Sequence, residues 1–230
     1  MRSLRWLVLA LAVAVPSLAA DRVADARARR LAELQALVAG IGLAWPVDEA
    51  YLRVFKEERE VEVWVARAGQ PMVRLLVLPI CAASGTLGPK RREGDLQVPE
   101  GLYEVSQFNP TSAYHLALKL SYPNASDRIR GDARHPGGLI YLHGQCASIG
   151  CIAIEDGPVE LVYLLALEAR RQPVPIDVFP FRLSAARAAA GGPRRALWEE
   201  LLPVYEAFQA RRRRPAVVVE ARTGAYRLRR

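Results

Sequence analysis

Short apolar or alternating runs, separated by turn residues, dominate the centre of the chain. Residues 51–55 and 61–65 flank a polar turn and predict a hairpin of two strands. Similar runs predict strands at 72–78, 102–105, 115–120, 138–143, 151–154 and 174–179. The polar stretch 122–138, which is rich in Pro, Asn, Asp and Gly, predicts a long loop.

Apolar residues at helical spacing flank this centre. Leu or Val at positions 31, 34, 37 and 38 predicts an amphipathic helix over 24–38. Asp156 as N-cap and Pro158 in the first turn predict a helix that continues to Arg170. An apolar stripe within the Ala- and Arg-rich stretch 187–214 predicts a helical appendage that packs on the core. Residues 217–219 and 225–228 then predict a small hairpin.

The first twenty residues have the pattern of a secretory signal peptide. Arg2 and Arg5 precede the apolar stretch 6–15, and a small-x-small pattern at 17–19 predicts cleavage after Ala19 or Ala20. The alternative is an uncleaved membrane anchor, although the apolar stretch is short for a bilayer span. No later segment approaches the length of a transmembrane helix. We therefore expect an exported protein.

The charge of the chain favours an anionic partner. The 230 residues carry a formal net charge of +8, and about +6 is left when the two arginines of the signal peptide are discounted. Because the chain is predicted to be exported, anionic cell-wall polymer or an outer-membrane surface is a better partner than nucleic acid. The run Arg211–Arg214 is interpreted as a solvated helix end rather than a binding patch.

Three cysteines are an odd number for an exported protein. Cys81, Cys146 and Cys151 allow either one disulfide and one free thiol or three free thiols. A free thiol in an oxidising compartment needs an explanation, and catalysis is the commonest one.

The stretch 143–154 concentrates reactive side chains between two apolar strands. Three interpretations compete: core cysteines beside a strand-end histidine, a zinc site completed by Asp127 or His135, and a Cys–His catalytic pair. In the third, His143 removes the proton of the Cys151 thiol across a loop of seven residues. Gly150 permits the tight turn, so that the amides near Ile149, Gly150 and Cys151 converge on an oxyanion.

The same stretch resembles the catalytic motif of the L,D-transpeptidase (YkuD-type) family. His143-Gly144 matches the family's upstream histidine, and Ser148-Ile149-Gly150-Cys151 matches its Ser/Thr-x-Gly-Cys segment. The resemblance extends from about Tyr51 to Phe181, and it includes segments 55–59, 88–90, 99–101 and 122–128. The tail segments 180–182 and 197–199 look like one subgroup, whose characterised members detach the outer-membrane (Braun) lipoprotein from peptidoglycan.

The resemblance implies an α+β, mainly β fold. The expected architecture is an L,D-transpeptidase-like mixed β-sandwich with a packed helix and helical N- and C-terminal additions. The corresponding boundaries are a signal peptide at 1–20, an N-terminal helical segment at 21–50, a catalytic domain at 51–181, and a helical appendage with a small hairpin at 182–230.

The implied activity is acyl transfer at amide bonds of meso-diaminopimelate. Cys151 forms a thioester, His143 is its base, and no metal or organic cofactor is needed. Many family members have a second His and an Arg where this chain has Ile149 and Ala153. We hypothesise that this loss of polar groups favours water over an amine as acyl acceptor. The implied partners are peptidoglycan and its attached lipoprotein in the periplasm, and no nucleic acid.

Further residues are candidates for supporting roles. Lys90, Arg91 and Arg92 are candidates for pairing with carboxylates of the substrate, and Ser148 for positioning the loop or bonding His143. A second set resembles a family segment near the cleft and is predicted to bind substrate: Tyr122, Asn124, Asp127 and Arg128. Cys81 and Cys146 could pair and so spare Cys151. The alternatives are a transpeptidase that forms 3-3 crosslinks or attaches lipoprotein, and a non-catalytic wall-binding module.

Overall fold

The computed structural model describes residues 18–229, and it contains five α-helices and eleven strands in this range. The helices are α1 (Leu18–Gly40), α2 (Ala125–Arg130), α3 (Asp156–Glu168), α4 (Ala185–Ala189) and α5 (Arg195–Arg211), with a 3-10 turn at Gly192–Arg194. The strands are β1 (Glu49–Phe55), β2 (Glu60–Ala66), β3 (Val73–Pro79), β4 (Ala82–Ala83), β5 (Gly101–Asn109), β6 (Ala117–Leu120), β7 (Tyr141–His143), β8 (Ile152–Ala153), β9 (Pro175–Phe179), β10 (Val217–Val219) and β11 (Tyr226–Leu228).

Nine strands form a curled mixed sheet in the order β3-β2-β1-β9-β5-β6-β7-β8-β4. The predicted hairpin is present as the antiparallel pair β1–β2. Two pairs, β1–β9 and β7–β8, are parallel. The α+β, mainly β fold class is confirmed, since helices cover a predominantly β structure.

Helix α3 is the helix packed on this sheet. Residues of its buried face, among them Val162 and Leu165, join strand residues such as Leu118 and Ile176 in the main core. The predicted N-cap is wrong by one position: Glu155 occupies it, without a side-chain capping bond. Asp156 instead accepts a hydrogen bond from the backbone N–H of Gln145 at 2.9 Å.

Helix α1 packs on α3, in agreement with the predicted amphipathic helix. Its buried Leu34 and Val38 belong to the main core. Arg29 and Arg30 both form salt bridges with Glu160 of α3, at 2.6 and 3.1 Å. Because Glu160 is almost fully buried, these two arginines compensate a carboxylate that would otherwise be costly to desolvate.

The C-terminal segment covers the sheet through a second core. Apolar side chains of α5, such as Leu201 and Val204, pack with Phe55 and Phe179 of β1 and β9. Trp198 donates its indole N–H to Oε2 of the buried Glu100 at 2.8 Å. Strands β10 and β11 form the predicted hairpin.

The basic run Arg211–Arg214 is only partly a solvated helix end: Arg211 and Arg213 are exposed, whereas Arg212 and Arg214 are half-buried. Arg212 lies over the ring of Trp64, with 5.1 Å between its Cζ atom and the ring centroid. Arg213 donates to the carbonyl of Gly69, and Arg214 forms two hydrogen bonds with the buried Asp177. These contacts attach the segment after α5 to the sheet, so the predicted solvated end is wrong for Arg212 and Arg214.

The predicted signal peptide lies outside the described residues, apart from positions 18–20 at the start of α1. Between residues 18 and 229, none of the helices combines the length and the apolar character that a bilayer crossing requires.

Candidate active site

His143 is the last residue of β7, and Cys151 directly precedes β8. The parallel register pairs Leu142 with Ile152 and His143 with Ala153. Because successive side chains of a strand point to opposite faces, the side chain before Ile152 lies on the same face as His143. Cys151 and His143 therefore approach the same face of adjacent strands, two residues apart in register.

The buried imidazole of His143 has a defined tautomer. Its Nδ1 lies 2.6 Å from the carbonyl oxygen of Gly144, and a carbonyl can only accept, so Nδ1 carries the proton in the neutral ring. Nε2 then presents a lone pair and is the basic nitrogen. Burial lowers the pKa of His143, which the bond to Gly144 partly opposes, and the ring is therefore neutral near pH 7.

The Cys151 thiol is free and half-buried. Burial raises its pKa above the ordinary 9.0, against smaller opposing effects of a backbone hydrogen bond from Tyr141 and the positive charge of Lys90. The thiol donates to the carbonyl of Leu139 at 3.6 Å. Within residues 22–229 its hydrogen bonds do not include one to His143. The raised pKa of the thiol and the lowered pKa of the imidazole both favour the neutral forms at rest.

Hydrogen bonds, a glycine and a disulfide define the conformation of the loop between His143 and Cys151. Ser148 donates its hydroxyl to the carbonyl of Cys151 at 2.7 Å and accepts the N–H of Gly150 at 3.3 Å. Gly150 has a φ of +125°, which a side chain would strain. Cys146 forms a disulfide with Cys81, next to β4, with the Cα atoms 5.3 Å apart. Ser148 thus organises the loop rather than bonding His143.

Lys90 is close to this site but is not free to bind a substrate carboxylate. It is buried, and its ammonium group donates to Asp95 at 2.5 Å and to the carbonyl of Arg92 at 2.8 Å. Its charge nevertheless acts on the Cys151 thiol, where it favours the thiolate.

The other predicted substrate-binding side chains are mostly engaged within the protein. Asn124 and Asp127 form a reciprocal capping box at the start of α2, a helix that the loop prediction for 122–138 missed. Tyr122 donates to the carbonyl of Pro136 at 2.9 Å. Arg128 is exposed. Tyr122, Asn124 and Asp127 thus use polar groups within the protein, and their predicted role in substrate binding stays a prediction, as does that of Arg128.

Asp127 is the most perturbed carboxyl group of this region. Burial raises its pKa to about 6, although hydrogen bonds from Asn124 and Tyr103 oppose the shift. The carboxyl lies under the C-terminal hairpin, where Asn124 also donates to the hydroxyl of Tyr226 at 2.8 Å. This network joins α2 to the C-terminal addition.

Sequence reasoning missed the aromatic neighbour of the histidine. The ring of Tyr114 lies on that of His143, with the centroids 4.7 Å apart. The loop that carries Tyr114 is anchored by Arg22 of α1, which donates to the carbonyls of Ser112 and His115 at 2.7 and 3.1 Å. Nothing in the local pattern signals this contact, since about ninety positions separate α1 from the loop.

The geometry gives no support to the zinc interpretation. Cys146 is in a disulfide, which removes its thiolate as a ligand. Over the described part of the chain, no group of three or more His, Cys, Asp or Glu side chains is arranged to hold a metal ion.

A free thiol and an imidazole with a bare ring nitrogen, on one face of a mixed sheet, define a site of the Cys–His type. The model of the YkuD L,D-transpeptidase catalytic domain matches residues 49–176. "Putative L,D-transpeptidase YafK" of Escherichia coli (strain K12) is 35% identical over 176 residues, which cover 74% of this chain and 70% of that protein. The chain therefore belongs to the L,D-transpeptidase (YkuD) family of enzymes.

Three solved structures that resemble this chain share less of its sequence than the Escherichia coli protein does. The cell shape determining protein Pgp2 of Campylobacter jejuni is 17% identical with a TM-score of 0.49, over 76% of this chain and 74% of that chain. Its K307A mutant is 21% identical with a TM-score of 0.48, over 70% of this chain and 57% of that one. L,D-transpeptidase 1 of Mycobacterium tuberculosis is 16% identical with a TM-score of 0.32, over 57% of this chain and 62% of that chain.

Proposed function

We propose that this protein is an exported periplasmic cysteine acyltransferase that works as an amidase on meso-diaminopimelate amide bonds of peptidoglycan and releases a lipoprotein linked there. Membership of a peptidoglycan-acting family supports the substrate. The observation that carries the proposal is the shared face of Cys151 and His143, together with the bond from Nδ1 to Gly144 that leaves Nε2 as a base.

Acylation begins from the neutral pair. The thiol rotates away from the Leu139 carbonyl towards Nε2 of His143, which accepts its proton as the sulfur bonds to the carbonyl carbon. The backbone amides of Ile149 and Cys151 stabilise the oxyanion, since the N–H of Gly150 donates to the hydroxyl of Ser148. When it collapses, the C–N bond breaks, the imidazolium returns its proton to the leaving amine, and a thioester on Cys151 remains.

Deacylation by water completes the hydrolysis. His143 takes a proton from water, the resulting oxygen nucleophile adds to the thioester carbon, and the C–S bond breaks to give a carboxylic acid and the thiol. The side chains that flank the nucleophile, Ile149 and Ala153, offer no polar group to position an incoming amine. This supports water as acceptor over a transpeptidation.

The test is incubation of the full chain with sacculi that carry amide-linked lipoprotein. We expect release of the protein by wild type, no release by Cys151→Ala, and unchanged release by Leu228→Asn, which alters an exposed residue of β11. New 3-3 crosslinks without released protein would contradict the amidase proposal. If wild type and Cys151→Ala release equal amounts of protein from the sacculi, the result would favour a non-catalytic wall-binding module.

A further inference from the structure

Three large apolar side chains on segments next to Cys151 are exposed to solvent. Leu139, Ile149 and Leu96 are 66%, 79% and 50% exposed, and we call them the apolar rim. They come from three separate segments of the chain. Leu139 provides the carbonyl that accepts the thiol, Ile149 is two residues before the nucleophile, and Leu96 precedes Gln97, whose carbonyl faces Gly150.

Backbone conformation gives no reason for leucine at two of these positions. Leu96 and Leu139 both have a φ of +56°, in the left-handed region that favours Gly or Asn and penalises a bulky side chain. The protein therefore carries both the backbone strain and the exposure of two leucines beside its nucleophile. Strained residues concentrate at functional sites because the surrounding structure holds them for a purpose.

The loop segment that carries Leu96 is held by hydrogen bonds. Ser84 donates its hydroxyl to the Leu96 carbonyl at 2.8 Å, and the N–H of Gln97 donates to Asp95 at 3.1 Å. Asp95 in turn holds the ammonium of Lys90. The backbone around Leu96 is thus tied to its neighbours while its side chain is exposed.

We propose that the apolar rim binds apolar side chains of the polypeptide that is joined to peptidoglycan through the scissile amide. This inference rests on the function proposed above, because it needs a substrate in which a polypeptide is joined to the amide that Cys151 attacks. Peptidoglycan near diaminopimelate is polar and charged, so it offers little surface that would gain from contact with leucine and isoleucine. A polypeptide leaving group supplies that surface, and the rim selects it over a protein-free stem.

Two variants remove the two leucines of the rim and keep the backbone conformation. Leu96→Asn and Leu139→Asn introduce the residue that tolerates positive φ best, so we expect melting temperatures equal to or above that of wild type. Leu228→Asn, at an exposed leucine remote from the site, is the matched control. Alkylation of Cys151 by iodoacetamide measures the accessibility of the thiol without a polypeptide partner.

We expect each rim variant to release amide-linked protein from sacculi about tenfold more slowly, and the double variant about a hundredfold. Alkylation of Cys151 should keep its wild-type rate in all of them, and Leu228→Asn should match wild type throughout. Unchanged release by the rim variants would overturn the proposed role of the apolar rim and leave the proposed function standing. A parallel loss of alkylation would also overturn it, since the leucines would then act on the thiol itself. No release by wild type would overturn the proposed function, and the rim with it.

Discussion

Replacement of both disulfide cysteines, in the variant Cys81→Ser/Cys146→Ser, should strongly destabilise the fold. The two residues are 65 positions apart, and the chain-entropy relation for a closed loop of this length gives about 4 kcal/mol. Cys146 is exposed and Cys81 half-buried, so the change costs little packing. The loss therefore arises mainly in the unfolded chain, which the disulfide no longer constrains.

The assay is urea unfolding of wild type and variant, with and without dithiothreitol. We expect a lower midpoint and a larger m-value for the variant, since its unfolded state exposes more surface. The melting temperature should fall by about 10 °C or more. Dithiothreitol should bring wild type to the variant's curve and leave the variant unchanged. A loss below about 1 kcal/mol with an unchanged m-value would refute the loop-entropy reasoning.

Three further predictions concern buried groups. Alkylation of Cys151 by iodoacetamide should accelerate with pH to a midpoint above 9.0, because burial raises the thiol pKa; a midpoint near 7 would mean that a thiolate is already present at rest. Since the pKa of Asp127 is raised from 3.8 to about 6, its contribution to stability is complete below pH 4 and declines by about 3 kcal/mol as pH rises through 6. Asp127→Asn should remove this slope in unfolding curves measured from pH 4 to 7, and a persistent slope would assign it to another group. Trp198→Phe should lower the free energy of unfolding by about 2 kcal/mol, because Oε2 of Glu100 loses its indole donor; an effect below about 0.5 kcal/mol would argue against that bond.

The strands were predictable because their signal is local. The hairpin β1–β2 has alternating side chains around a polar turn, and the terminal pair β10–β11 has a similar pattern. The parallel pairs β1–β9 and β7–β8 had no such signal, since the first joins segments more than a hundred residues apart. Helix α2 was missed because its capping box consists of Asn124 and Asp127, residues that also signal loops.

The candidate site likewise has a part that could be predicted from the sequence and a part that could not. The motif from His143 to Cys151 is contiguous, so its spacing and its resemblance to a family could be recognised directly. Tyr114 could not be found from the sequence, because it reaches His143 through a loop that helix α1 anchors. The engagement of Lys90 by Asp95 was also hidden, as a charged loop has the same composition whether its charges face the solvent or one another.

The most direct test of the account is a single-turnover measurement of the acyl-enzyme by intact mass, with wild type, His143→Gln and Cys151→Ala on lipoprotein-linked sacculi. We expect an adduct on Cys151 in wild type that forms and then decays in water, and no adduct in Cys151→Ala. In His143→Gln, formation should slow by at least about a hundredfold, since the general base is lost. Wild-type rates of adduct formation in His143→Gln would contradict the pairing of these two residues.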